Sequence, residues 1–150
     1  MMMEKFYDGI PSRYYSNEKE IIRTTIGISD KAFAPLTDFL VGAILETEDG
    51  KLYSGVNVET PSALFCLCAE RTAFVKAISC GEKSFKRIYI YGHKNGKDAT
   101  RCIPPCGVCR QLMTELCDAD FEIIMIKNKD VFEKHTLEEL VPFAFAKKVN

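Results

Sequence analysis

Two cysteines in Pro105-Cys106-Gly107-Val108-Cys109 form a Cys-x-x-Cys pair, and a third, Cys68, stands far upstream in Cys68-Ala69-Glu70-Arg71. This set constrains the chain more than any other feature, because a fold that uses it has to bring two distant segments to one point. Zinc favours four ligands and takes thiolates readily. The Cys-x-x-Cys pair suits two ligands at the mouth of a helix, and Cys68 supplies a third. Three protein ligands leave one coordination position for water, the arrangement of a catalytic zinc and not of a structural one.

Glu70 sharpens this reading. It follows Cys68 by two residues, which in a regular helix puts it off that face. In the first turn of a helix both side chains can still converge on the open end, and Glu70 is then placed to carry protons. Two plainer readings stand beside this one. Cys106 and Cys109 also suit buried cysteines with no metal, and the three thiols suit a structural zinc completed by Cys66 or Cys102. Cys66 reads as packing, and Cys80, Cys102 and Cys117 as small core or surface residues. His93 and His135 sit on polar stretches and read as solvated.

Composition narrows the class. The chain has 150 residues, 47% of them apolar, and a formal net charge of -1. That length fits one domain with a core of its own. A binder of polyanions carries a basic face, and none stands out, so no nucleic-acid partner is expected. No apolar run approaches the ~18 residues of a membrane span, and the start from Met1 to Lys5 lacks the apolar stretch of a signal peptide. Seven cysteines, an odd number, argue against a complete disulfide framework. These features favour a cytoplasmic protein with no membrane partner.

The pattern of elements gives the fold class. Residues 1–16 show no periodicity and read as an N-terminal arm. Asn17 with Glu20 marks a helix start, and the apolar face of Ile21, Ile22 and Ile26 carries the helix to about Lys31 or Phe33. Ala34-Pro35-Leu36-Thr37-Asp38 is a break. Phe39 to Glu46 and Lys51 to Val58 form a hairpin around Glu48-Asp49-Gly50. A helix follows from Cys68 to Ser79, with Gly81 after its end. A strand over 87–91, a polar loop over 92–105, a helix over 107–117 and a strand over 121–127 come next. Thr136 and Glu139 form a capping box for a last short helix. Alternating strands and helices imply crossovers with helices on both sheet faces. The expectation is a single α/β domain over 1–150, a three-layer sandwich around a mixed sheet. Both cysteine segments then lie at helix N-termini, whose partial positive charge favours thiolate.

Cys68-Ala-Glu-Arg-Thr-Ala with Pro105-Cys-Gly-Val-Cys-Arg-Gln resembles the cytidine deaminase family, in its small homotetrameric branch. The zinc deaminases pair such a Cys-x-Glu with Pro-Cys-x-x-Cys, the glutamate not being a ligand. Ala34-Pro35, Phe39-Leu-Val-Gly-Ala43, Gly55-Val-Asn-Val-Glu59 and Leu140-Val-Pro-Phe-Ala-Phe145 fall in the family's order, so the resemblance runs from about Ile21 to Phe145. It implies a cytidine deaminase-like fold, one Zn²⁺ per chain on Cys68, Cys106 and Cys109, and Glu70 as the proton shuttle. It implies further that Asn57 and Glu59 hydrogen-bond the ribose, Phe39 walls the base pocket, and the Ala69 backbone meets the base edge. Arg71 matches an arginine that hydrogen-bonds the thiolates. Phe145 matches an aromatic inserted into a neighbouring subunit's site, which implies a homotetramer with shared active sites. The implied reaction is hydrolytic deamination of cytidine or deoxycytidine to uridine or deoxyuridine plus ammonia, in pyrimidine salvage.

Three positions depart from the family pattern. Leu36 stands where members carry Tyr, Thr60 where they carry Asn, and Ala63 where they carry a second Tyr. These departures bear on substrate preference and assembly. They keep open a relative that acts on another aminated heterocycle, such as a modified nucleoside or a blasticidin-like antibiotic.

Overall fold

The computed structural model describes residues 6–146 and residue 148. In chain order its elements are strand β1 (Ile10–Pro11), a 3-10 turn (Ser12–Tyr14), helix α1 (Glu18–Ser29), strands β2 (Phe39–Thr47) and β3 (Lys51–Val56), and helix α2 (Ala69–Ser79). Strand β4 (Phe85–Lys94), helix α3 (Gly107–Leu116), strands β5 (Glu122–Asn128) and β6 (Val131–Thr136) and helix α4 (Leu137–Leu140) complete it. The six strands make one sheet in the order β1-β3-β2-β4-β5-β6. β4 and β5, joined across α3, run parallel, and the other neighbours are antiparallel. The sheet is mixed, as a hairpin followed by crossovers requires.

Successive residues of a strand face opposite sides of the sheet, and both sides here are apolar. Ala43, Leu45, Ile88, Ile90 and Ile123 pack with Phe74 of α2, Met113 of α3 and Leu137 of α4. Ile44, Leu52, Tyr89 and Ile124 pack with Ile21, Ile22 and Ile28 of α1. The result is three layers. A sealed side chain of this kind is worth roughly 1.5–3 kcal/mol, whereas an exposed ion pair is worth ~0–1 kcal/mol. The two apolar faces therefore hold the frame.

Helix α1 begins as the sequence indicates. The Asn17 side chain accepts the Glu20 amide N–H at 3.2 Å, and the Glu20 carboxylate accepts the Ser16 amide at 2.8 Å. The helix ends at Ser29, short of Lys31–Phe33, because Phe33 is drawn into another pairing. Its amide donates to the Asn57 carbonyl and its carbonyl accepts the Glu59 amide. The last short helix carries the expected capping box between Thr136 and Glu139.

Three expectations are corrected. The N-terminal arm is docked from Phe6 onward: Phe6, Ile10 and Tyr15 pack on the α1 side of the core, and Ile10 and Pro11 pair with Leu52 and Lys51. Residues 1–5 of that arm lie outside the described residues. β4 continues to Lys94, through the stretch read as the start of a loop, so His93 is buried and not solvated. Its Nε2 lies 3.0 Å from Ser29 Oγ, and its Nδ1 faces the carbonyls of Lys94 and Lys97 at 3.0 and 2.9 Å. Strand β6 was not expected. It is an edge strand rich in charge, opened by Asn128, whose side chain accepts the amides of Asp130 and Val131 at 2.9 Å.

Candidate metal centre

The N-terminus of α2 is placed by β3 and the segment after it. A β-carbon on Gly55 would stand 2.1 Å from the Ala69 carbonyl oxygen and 2.6 Å from the Ala73 nitrogen, so only glycine lets the helix lie this low on β3. Val58 and Leu67 exchange both backbone hydrogen bonds, at 3.0 and 2.9 Å. This bridge delivers Cys68 to the start of α2, where it is the N-cap residue. Cys106 is the N-cap residue of α3, and its sulfur accepts the Cys109 amide at 3.5 Å.

The three sulfurs converge. Cys68 Sγ and Cys106 Sγ are 3.5 Å apart, as are Cys106 Sγ and Cys109 Sγ. All three lie within 4.8 Å of one another, and no other such cluster of metal-ligating side chains occurs among the described residues. Disulfide sulfurs would lie near 2.05 Å, and all seven cysteines are free thiols. Two thiolates on one tetrahedral zinc lie about 3.8 Å apart, given zinc–sulfur bonds of ~2.3 Å. The donor set fits zinc in number, chemistry and spacing.

The electrostatics point the same way. The Cys68 thiol is pushed down to about 5, by its hydrogen bond with Cys109 first, against the opposing effect of burial, and then by Arg71. Cys109 is driven up by that same bond and by burial. Metal binding requires deprotonated thiols, and a divalent ion between the three would favour their thiolate forms together. Arg71 Nη2 lies 3.8 Å from Cys68 Sγ and 3.3 Å from the Cys66 carbonyl oxygen.

Glu70 sits in the first turn of α2 and is only 4% exposed. Burial raises its carboxyl to about 7, with the charge on Cys68 adding to the rise. A carboxyl poised near neutrality suits proton transfer in either direction. It shares a cavity of about 300 Å³ with Asn57, Glu59, Cys68, Ala69 and Cys106. Cys66 also lines this cavity but does not join the cluster of sulfurs.

Asn57 and Glu59 come from the segment that continues β3. Asn57 Oδ1 accepts the Val41 amide and its Nδ2 donates to the Phe39 carbonyl, both at 2.8 Å. Glu59 accepts the amides of Leu36 and Thr37, at 2.9 and 3.0 Å, and the Thr37 hydroxyl. Hydrogen bonding by Thr37 holds the Glu59 carboxyl below the usual carboxylate range. Phe39 lines an adjoining cleft of about 480 Å³ together with Arg101 and Arg110, and Ile103, Pro104 and Cys106 form the wall common to both spaces. Phe145 is 98% exposed and lines neither. The sequence reading missed Ile103 and Thr37. The resemblance offered no motif position for Ile103, and the partner of Thr37 lies 22 residues away.

Comparison with known proteins agrees with this geometry. The family model described as the cytidine and deoxycytidylate deaminase zinc-binding region matches residues 15–125. A cytidine deaminase of Sporosarcina psychrophila is 38% identical over 119 residues, covering 79% of this chain and 84% of its own. A blasticidin-S deaminase of Bacillus cereus is 34% identical over 110 residues, covering 71% of this chain and 77% of its own. The crystal structure of a cytidine deaminase from Burkholderia pseudomallei superposes with a TM-score of 0.77 at 35% identity, covering 86% of this chain and 99% of that one. With a matching zinc-binding region over most of its length, this chain belongs to the cytidine and deoxycytidylate deaminase family.

Proposed function

We propose that the protein is a zinc-dependent hydrolase that converts cytidine and deoxycytidine to uridine and deoxyuridine with release of ammonia. The observation that carries this reading is the convergence of three thiols, two of which, Cys68 and Cys106, line one cavity with the buried Glu70 carboxyl. Zinc held by Cys68, Cys106 and Cys109 supplies Lewis acidity that makes a water acidic near neutral pH. Glu70 does the proton work. It accepts a proton as the water oxygen bonds to C4 of the cytosine ring, and delivers it to N3. It then takes the proton remaining on the C4 hydroxyl and passes it to the exocyclic nitrogen as the C4–N bond breaks, so that the C4 carbonyl forms and ammonia leaves. Burial of Glu70 excludes bulk water from these transfers.

Asn57 and Glu59 are proposed to hold the ribose, the Ala69 backbone to meet the base edge, and Phe39 to wall the base side. Arg71 balances thiolate charge. A free nucleoside suits this cavity better than a nucleotide, since two carboxylates line it and Arg71 is turned to Cys68. The whole chain is taken as one deaminase domain. Phe145, extended from the body, is proposed to enter a neighbour's site in a homotetramer. A cytoplasmic setting in pyrimidine salvage is consistent with the free thiols. Among the described residues no helix is long and apolar enough to cross a membrane. The near-neutral net charge gives no support to a nucleic-acid partner.

The test is the ultraviolet change on incubating protein of known zinc content with cytidine, deoxycytidine and blasticidin S in parallel. Turnover of the nucleosides at about one zinc per chain is expected. Turnover of blasticidin S alone would move the assignment to the antibiotic-directed relatives and place the cause at Leu36, Thr60 and Ala63.

A further inference from the structure

The carboxylate assigned to the sugar is already ringed by the chain's own donors. Glu59 Oε2 accepts two amides, those of Leu36 and Thr37, and Oε1 accepts the Thr37 hydroxyl. A carboxylate oxygen accepts about two hydrogen bonds. Oε2 is therefore full, and the single acceptor position left to Glu59 is on Oε1, beside the Thr37 hydroxyl.

Thr37 is itself held from behind. Its hydroxyl oxygen accepts the Phe39 amide at 3.1 Å, and a hydroxyl has one proton, so that proton is directed at Glu59. Its carbonyl accepts Lys94 Nζ at 2.6 Å, and the neighbouring Asp38 carbonyl accepts the Asn95 amide at 3.0 Å. Asp38 adopts a left-handed backbone, with φ of 57°, that turns the chain from Thr37 into β2. The end of β4 thus braces the loop, and the loop aims the carboxylate.

We propose that Thr37 is a positioning residue for substrate binding: it orients the one open acceptor site of Glu59 and so fixes where a sugar hydroxyl of the nucleoside is received. The proposal rests on Glu59 being the sugar-binding residue. Thr37 touches no reacting atom. Its effect belongs to binding and not to the proton transfers of Glu70 at the thiol end of the cavity.

The experiment is steady-state kinetics with cytidine on the zinc-loaded enzyme and its variants. Thr37→Val keeps the side-chain shape and removes both the donor and the acceptor. It is expected to raise KM about tenfold while kcat stays within about twofold, the pattern of an interaction made equally in ground and transition states. Thr37→Ser keeps the hydroxyl and is expected to return KM toward the starting value. In a Glu59→Gln background, Thr37→Val is expected to add little, because it acts through Glu59. Uridine dissociation constants, measured by titration, should follow the same order without turnover. Thr37→Ala serves in the same comparison where the valine variant does not fold.

Equal losses in the serine and valine variants, or a fall in kcat at unchanged KM, would overturn the proposal. A raised KM in Glu59→Gln beside an unchanged KM in Thr37→Val would remove the role of Thr37 and leave that of Glu59. An unchanged KM in Glu59→Gln would remove the sugar reading of Glu59 and the proposal with it.

Discussion

Gly55 faces the Ala69 carbonyl so closely that a β-carbon there would stand 2.1 Å from the oxygen. Ala69 lies between Cys68 and Glu70, so this contact sets the height of the turn that carries both above the sheet. Gly55→Ala has to lift α2 off β3. Overpacking of this kind costs about 1–3 kcal/mol. The variant is expected to melt several degrees lower and to hold zinc more weakly, read by calorimetry and by competition with a chromogenic chelator. An unchanged zinc affinity would mean that the α2 turn is not positioned from below.

Glu70→Gln keeps the size of the buried side chain and removes its proton chemistry. General acid–base catalysis contributes about 10²–10⁴ in rate, so kcat is expected to fall by about that factor. Zinc content should remain near one per chain, since Glu70 is not among the converging ligands. Retained turnover in a zinc-loaded variant would remove Glu70 from the mechanism.

Removal of the metal should be felt in stability as well as activity. An ion that binds only the folded state adds about 4 kcal/mol at a thousandfold excess over its dissociation constant. Chelation is expected to abolish turnover and lower the melting temperature, and added zinc to restore both. Cys106→Ala should show the chelated melting temperature from the outset and fail to respond to zinc. Full zinc occupancy in that variant would show the ligand set to be wrong.

Glu59 carries a pH signature. Its folded-state carboxyl lies below the usual range, chiefly through the Thr37 hydroxyl. The folded chain therefore binds this proton less readily than the unfolded chain. The resulting stability is present above the ordinary carboxylate pKa of about 4.3 and is lost as pH falls through the depressed folded value. Urea unfolding from pH 6 down to pH 3 should show wild type and Glu59→Gln converging at the acid end. Parallel curves would mean that the carboxylate is not held by these donors.

Much of the centre was legible in the residues, because ligand chemistry demands particular side chains at particular spacing. Cys68, Cys106 and Cys109 converge from two helix starts, and Glu70 lies in the first turn after Cys68 and lines a cavity with it. The Asn17 cap and the Thr136 capping box were legible for a similar reason, as local hydrogen bonds between near neighbours. What escaped was set by tertiary approach. Thr37 reaches Glu59 only because Phe33 pairs with Val58 across the sheet end. His93 lies in a run that reads as a polar loop, yet β4 carries it inward against Ser29 of α1. β6 lacks apolar alternation because an edge strand buries little.

The parallel pairing of β4 with β5 has a consequence for biosynthesis. A ribosome delivers Cys68, and its cavity-lining neighbour Cys66, before α3 exists. Cys106 and Cys109 follow only with the start of α3, which leads into the crossover to β5. Through that interval the nascent chain carries unprotected thiols and no complete ligand set. Exposed thiolates are open to oxidation, and soft ions other than zinc compete for them. Zinc supply and a reducing setting during translation are therefore expected to raise the share of chains that fold around all three thiols, read as metal content of protein expressed with and without added zinc.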